Sequence, residues 1–299
     1  MCFIIVLKHD WRIIMGIHLI VDSCCDLSPE LIERINPSIA PLKVLIDNDT
    51  EITDDGTVDI QNLLKKMSLS RNGSRSACPS VEDFAKPMRE HDQCFVVTIS
   101  GKLSGSYNAA CLAAEMVKEE FPDKKIHVFD SKSASAGELQ LTLFLHEKIT
   151  EGLSFEEIVD LGEAFVKKMR TMFIVEDLGN LIKSGRLSKV SGLVASVLSI
   201  CPIMGENGQG EIKLIEKVRG IQNSLKKLVD IVGEQTKDAA ENSIRIVLSH
   251  CNCSERAAWL SERLRERCKG LREVITVQTS ALSTLYANRG GVVISIMQS

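Results

Sequence analysis

The sequence predicts an α/β fold in two parts, an N-terminal parallel-sheet α/β domain and a C-terminal α+β domain. Three observations carry this. Apolar runs such as "IHLIVDS" and "CFVVTIS" alternate with helical patterns, the rhythm of βαβ units on a parallel sheet covered on both faces. Later the chain reads "CPIMGENGQGEIKLIEKVRG", two strands around a Gly/Asn turn, and such a hairpin is foreign to a doubly wound sheet. With 299 residues, 44% of them apolar, the chain can bury two sizeable cores without disulfide staples.

Taken in order, the first strand is "IHLIVDS" from Ile17, followed by a helix around Pro29 to Ile35 and a strand "IAPLKVLI". A helix around Ile60 to Met67, the strand "CFVVTIS" and a helix from Ser106 to Glu119 continue the alternation. "KIHVFDS" and a helix from Gly137 to Glu151 extend it. Ser154 and Glu157 form a capping box that opens a helix ending near Met169. Beyond the hairpin come a helix from Ser224 to Val232, the strand "SIRIVLSH", a helix from Ser254 to Cys268, and the strands "EVITVQT" and "GGVVISI". The expected division is 17–165 and 166–299, with residues 1–16 an extension: "MCFIIVLKHDWRII" lacks a leading basic region and is too short for a signal peptide or a membrane span.

Bulk chemistry narrows the function classes. A net charge of −4, with both signs interspersed and no Lys/Arg block, argues against nucleic acid as a partner. The ten cysteines are scattered, and Cys94, Cys111 and Cys201 sit in apolar runs as small hydrophobes, which fits a reducing cytoplasm. His250, Cys251 and Cys253 resemble half a zinc site, but no second pair at ligand spacing follows, so no metal is expected.

Four polar junctions could carry chemistry. In "SGKLSGSYNAACLAAEM", residues 100 to 116, an apolar strand turns at once into a helix through two glycines and three serines. Backbone N–H groups at a helix start, together with the hydroxyls of Ser100, Ser104 and Ser106, suit an anionic group, and Gly105 would let the backbone approach it closely. The stretch is neither a P-loop nor a G-x-S-x-G elbow. In "RSACPSVEDF", Ser76 precedes a helix capped by Ser80, and is read as a loop residue. In "VDSCCDLSPE", Asp22 and Ser23 end the first strand, an arrangement that commonly tidies a turn. In "LIKSGRLSKVSGLVASVLSICPI", Gly185 frees the backbone, Arg186 offers a fork suited to a carboxylate or phosphate, and Leu193, Val194, Val197, Leu198 and Ile200 make an apolar stripe.

These four stretches, in this order, resemble the DegV family of bacterial fatty acid-binding proteins. "VDSCCDLSPE" is similar to the family's opening Asp-Ser strand, "SACPS" to its Thr-Ser-Gln-Pro-Ser, and "ISGKLSGSYNAA" to its Ile-Ser-Ser-x-Leu-Ser-Gly-Thr-Tyr run. "KSGRLS" with the later hairpin resembles its Gly-Gly-Arg-Ile-Ser segment and Pro-Ile hairpin, and the likeness spans Ile17 to Ile296. The resemblance implies a non-enzymatic carrier in which one long-chain fatty acid lies between two domains, with no cofactor. It further implies that the carboxylate is presented to the ATP-binding subunit of a fatty acid kinase, for an acyl-phosphate used in phospholipid synthesis; transient membrane contact is compatible with that role. Carried over, Ser76 stands where the family has a carboxylate-binding Thr, Ser104 matches its carboxylate-binding Ser, and Arg186 matches its Arg. Cys78, Gly101 and Ser184 depart from the family's Gln, Ser and Gly, and "YANRGG" places Tyr286 where the family has a carboxylate-binding His. A phenol donates one hydrogen bond but cannot carry an imidazolium's charge.

Two rival readings from other classes are an acyl hydrolase or transferase with Ser104 as nucleophile, and a binder of sugar or nucleotide phosphates. A serine nucleophile wants a histidine beside it, and none of the six histidines lies in a motif that would place one there.

Overall fold

The structure is a computed structural model, and it describes residues 16–47, 49–71, 73–187 and 200–298. Strand β1 (Ile17–Asp22) leads into α1 (Pro29–Ile35), whose first turn is set by Pro29 and by the Ser28 hydroxyl, which accepts the Leu31 N–H. The expected strand "IAPLKVLI" is in fact two, β2 (Ser38–Ala40) and β3 (Lys43–Ile46), and they belong to different sheets. Pro41 explains the correction: it has no N–H to give a ladder and its ring restricts the residue before it.

The next elements are β4 (Thr50–Thr53), α2 (Ile60–Leu69), β5 (Ser74–Ala77), α3 (Val81–Glu90), β6 (Gln93–Thr98) and α4 (Ser106–Glu120). β3 pairs antiparallel with both β4 and β5. β7 (Lys125–Asp130), α5 (Ala136–Thr150) and α6 (Phe155–Lys168) follow, the last with the expected capping box of Ser154 and Glu157. Then come β8 (Arg170–Ile174), the short α7 (Gly179–Lys183), the hairpin β9 (Ile203–Glu206) and β10 (Ile212–Glu216), α8 (Ile221–Gln235), β11 (Ile244–His250), α9 (Ser254–Arg267), β12 (Leu271–Gln278), α10 (Ala281–Ala287) and β13 (Val292–Gln298).

A four-stranded parallel sheet, β2-β1-β6-β7, and a six-stranded mixed sheet, β10-β9-β8-β13-β11-β12, are separated by α5 and α6. Strand alternation explains the near-continuous apolar runs. Leu19, Val21, Phe95 and Val97 face the α5 side, while Ile20, Cys94 and Val96 pack on α3 and α4. In the second sheet Val247 faces α5, and Ile246 and Leu248 pack under α8 and α9. Helix α5 is therefore buried nearly all round, through Ala136 to Leu143 and again at Leu145. The three-stranded sheet β4-β3-β5 packs separately, its Val44 and Ile46 against Leu63 of α2 and Leu285 of α10.

Among the described residues no helix is long and apolar enough to cross a membrane. The expected extension up to Met15, and Leu193, Val194, Val197 and Leu198 of the apolar stripe, lie outside the described residues. Ile200 forms an isolated antiparallel bridge with Arg219.

Candidate functional site

The strand-to-helix bend after β6 is built largely from its own hydroxyls. Ser100 donates its O–H to the Gly210 carbonyl at 2.8 Å and accepts the Lys102 N–H at 3.1 Å. Its carbonyl accepts the Ser104 N–H at 3.1 Å, and Ser104 in turn accepts the Ser106 N–H on Oγ at 3.2 Å. A serine used as an acceptor keeps its proton to give, so Ser104 retains one donor for a ligand.

Ser106, expected at the ligand, is turned into the protein instead. It is buried and donates its hydroxyl to Asp22, which also accepts the N–H groups of Cys24 and Ile99 at 3.0 Å each. Gly105 does not border the cavity described below either; its φ is −74°, open to any residue, and an added Cβ would stand 3.1 Å from the Cys78 Sγ, a tight contact.

Ser104 instead borders a cavity of about 120 Å³. Ser76, Arg186 and Tyr286 line the same cavity, and Gly105 and Ser106 do not. Its walls are mostly apolar: Leu42, Ile99, Leu103 and Leu282 on one side, and Phe173, Val175 and Val293 on the other. Thr171, Phe173 and Val175, at alternate positions on β8 and just beyond it, all face it, as a strand period of two requires.

Each polar group at the rim is fixed by a different element. Ser76, expected in a loop, lies on β5, paired with Val44 of β3. Its Oγ is 2.8 Å from the Tyr286 hydroxyl, a hydrogen bond in which either group can donate. Tyr286 rides on α10, which sequence reasoning missed. Asp54 accepts the Ala281 and Leu282 N–H groups at 3.0 and 2.9 Å, Asp26 accepts the Ser280 N–H at 2.9 Å, and Asn180 donates to the Leu285 carbonyl at 2.7 Å. Burial pushes the Asp54 carboxyl up to about 6, against the pull of the two N–H groups. Arg186 follows α7 in a turn that Gly185 enters at φ 78°. Its Nε donates to the Leu103 carbonyl at 3.0 Å and its Nη1 to the Ser184 carbonyl at 2.5 Å, so the guanidinium ties that turn to the bend carrying Ser104.

Among the described residues no histidine lines this cavity, so none of them sets an imidazole base beside Ser104 there. His250, Cys251 and Cys253 do not form a metal-ligating group among the described residues. Cys251 is buried with its Sγ toward Thr284, while Cys253 Sγ approaches the Gly291 carbonyl. The arrangement brings the Ser76 and Ser104 hydroxyls, the Tyr286 phenol and the Arg186 guanidinium onto one mostly apolar slot, which suits a small anionic head on a long apolar body.

Residues 16–299 match the family described as "Uncharacterised protein, DegV family". A DegV domain-containing protein of Streptococcus pneumoniae is 35% identical over 275 residues, covering 91% of this chain and 96% of that one. A solved DegV family structure from Ruminococcus gnavus, refined with vaccenic acid, superimposes with a TM-score of 0.88 at 36% identity, over 94% of this chain and 99% of that chain. The Streptococcus pneumoniae fatty acid kinase B3 protein loaded with linoleic acid gives a TM-score of 0.85 at 33% identity, over 95% of this chain and 100% of that one.

Proposed function

The chain belongs to the DegV family, and from that premise we propose that it is a carrier of one long-chain fatty acid, without catalytic residues or cofactor of its own. The acyl tail occupies the cavity between the parts 17–165 and 166–299. The carboxylate sits at the rim, held by Ser76, Ser104 and Tyr286, with Arg186 as the nearby cation. The observation that carries the reading is that these four side chains, from four separate stretches of sequence, converge on one apolar cavity. The fatty acids bound in the relatives of Ruminococcus gnavus and Streptococcus pneumoniae support it.

Energetics favour a tail-dominated site. About fifteen methylenes at roughly 0.8 kcal/mol each give on the order of 12 kcal/mol before the cost of association, so the polar rim mainly orients the head. An exposed head held by neutral donors remains a nucleophile for phosphoryl transfer, and the name of the pneumococcal relative supports a kinase as recipient. The ATP-binding subunit of a fatty acid kinase then converts the carboxylate to an acyl-phosphate, in the cytoplasm. The test is organic extraction of the folded protein purified from cells, with mass spectrometry of the extract, followed by hydroxylamine trapping of acyl-phosphate when the kinase subunit and ATP are added. Near-equimolar fatty acid and a hydroxamate that depends on both proteins are expected. A folded protein that yields no fatty acid and binds none when offered it would overturn the carrier reading, and bound lipid without hydroxamate would overturn the kinase step alone.

A further inference from the structure

Beneath the cavity, three acidic side chains are sealed inside the protein: Asp22 at the end of β1, Asp26 in the turn after it, and Glu138 in the first turn of α5, none more than 1% exposed. Two of the three are well supplied with donors. Asp22 accepts from two backbone N–H groups and Ser106, and Asp26 accepts from Ser135 and the Ser280 N–H. Glu138 differs, because both of its oxygens are buried, no backbone N–H or serine reaches them, and the polar side chains beside them are Asp22 and Cys24, themselves acids. An orphaned carboxylate in such a place costs several kcal/mol or more, so something must compensate it.

The surroundings narrow what that is. One carboxylate oxygen of Asp22, one of Glu138 and the Cys24 Sγ all lie within 4.8 Å of one another. The charges acting on Glu138 and Cys24 are those of neighbouring acids, with no basic side chain among them. Two carboxylates and a thiolate suit a borderline divalent ion such as Zn²⁺: the sulfur disfavours Mg²⁺ and Ca²⁺, and three protein ligands leave one position open. An entry path exists, since Cys24 also forms part of the cavity wall.

We propose that Asp22, Cys24 and Glu138 form a binding site for one zinc-like divalent cation, placed under the floor of the cavity. The site is independent of the lipid-carrier reading: it is fixed by β1 and α5 and uses none of the rim residues. Binding displaces the thiol proton of Cys24, together with whatever proton Glu138 and Asp22 hold in the metal-free protein, and releases them to solvent, with no change of oxidation state.

The test uses the full chain, stripped of metal and lipid, in a C78S background, Cys78 being the exposed thiol among the described residues. Anaerobic titration with Co²⁺ should produce a thiolate-to-cobalt charge-transfer band that saturates at one equivalent and is displaced by Zn²⁺. Cys24→Ser should abolish the band. Glu138→Gln, which keeps the side chain's size, should weaken binding at least ~10-fold, the lower end of what losing even a supporting partner costs. The proposal is overturned if no such band forms, if it survives in C24S, or if E138Q binds Co²⁺ as well as its parent. A carboxylic-acid C=O infrared band in the metal-exposed protein that E138Q removes would also overturn it, by showing that a proton compensates Glu138. Should C24S fail to fold, E138Q and the stoichiometry of the parent decide the matter.

Discussion

Replacing Tyr286 by Phe removes one oxygen and leaves the ring, so it isolates what the phenol does. In the ligand-free protein the hydroxyl is paired with Ser76 Oγ at 2.8 Å, a neutral hydrogen bond worth about 0.5–1.5 kcal/mol net. With a carboxylate at the rim the same hydroxyl donates to a charged acceptor, worth about 1.5–3 kcal/mol. Because binding exchanges the neutral bond for the charged one, the net is about 1–1.5 kcal/mol, and at 1.4 kcal/mol per decade Y286F should weaken binding of a fatty acid by roughly 5- to 12-fold. Binding of the matched methyl ester, which presents no anion, should fall only a few-fold. The assay is displacement of a fluorescent fatty acid from delipidated protein by acid and ester of the same chain, beside a thermal melt that should move by only about 2–4 °C. Equal losses for acid and ester, or no loss for either, would refute the assignment of Tyr286 to the carboxylate.

Stability should fall as pH rises from about 4 to 6 through Asp54, whose carboxyl burial holds at about 6 against an ordinary 3.8. The folded state keeps this proton longer than the unfolded chain, so its contribution is complete below pH ~4 and lost above ~6, about 3 kcal/mol in all. The difference in unfolding free energy between wild type and Asp54→Asn, followed from pH 4 to 8, should show that step; a flat difference, or one rising with pH, would contradict it. Arg186→Lys should loosen the bend at residues 100–105, because an ammonium cannot reproduce the fork that spans the Leu103 and Ser184 carbonyls. Faster amide exchange in that bend and about 10-fold weaker fatty acid binding are expected at ~1.4 kcal/mol per decade, and unchanged exchange would count against it.

Much of the fold was legible because its strands bury both faces. "IHLIVDS" and "CFVVTIS" are apolar without break since one set of side chains meets α5 and the other meets the outer helices. The three-stranded sheet was not legible. β4 and β5 are short and polar, and Pro41 hides within a run that looks continuous but feeds two sheets. That sheet is what places Ser76, which is why the residue read as part of a loop. The bend of residues 100 to 116 raised a fair expectation, yet only the partners decide which serine is free: Ser106 is spent on Asp22, whereas Ser104 keeps its proton. Ser76 and Tyr286, 210 positions apart, meet through β5 and α10, a contact that no local pattern announces. Asp54 was missed for the same reason, since its acidic loop reads as ordinary surface until α10 is seen capped upon it.

The proposed carrier holds a single fatty acid in the cavity without a bond to the protein. Native mass spectrometry of the full chain purified from cells tests it most directly, compared with the same sample under denaturing conditions. One added fatty acid mass is expected in the native spectrum, and the bare chain mass after denaturation. A native mass with no addition, or an acyl adduct that persists through denaturation, would contradict it.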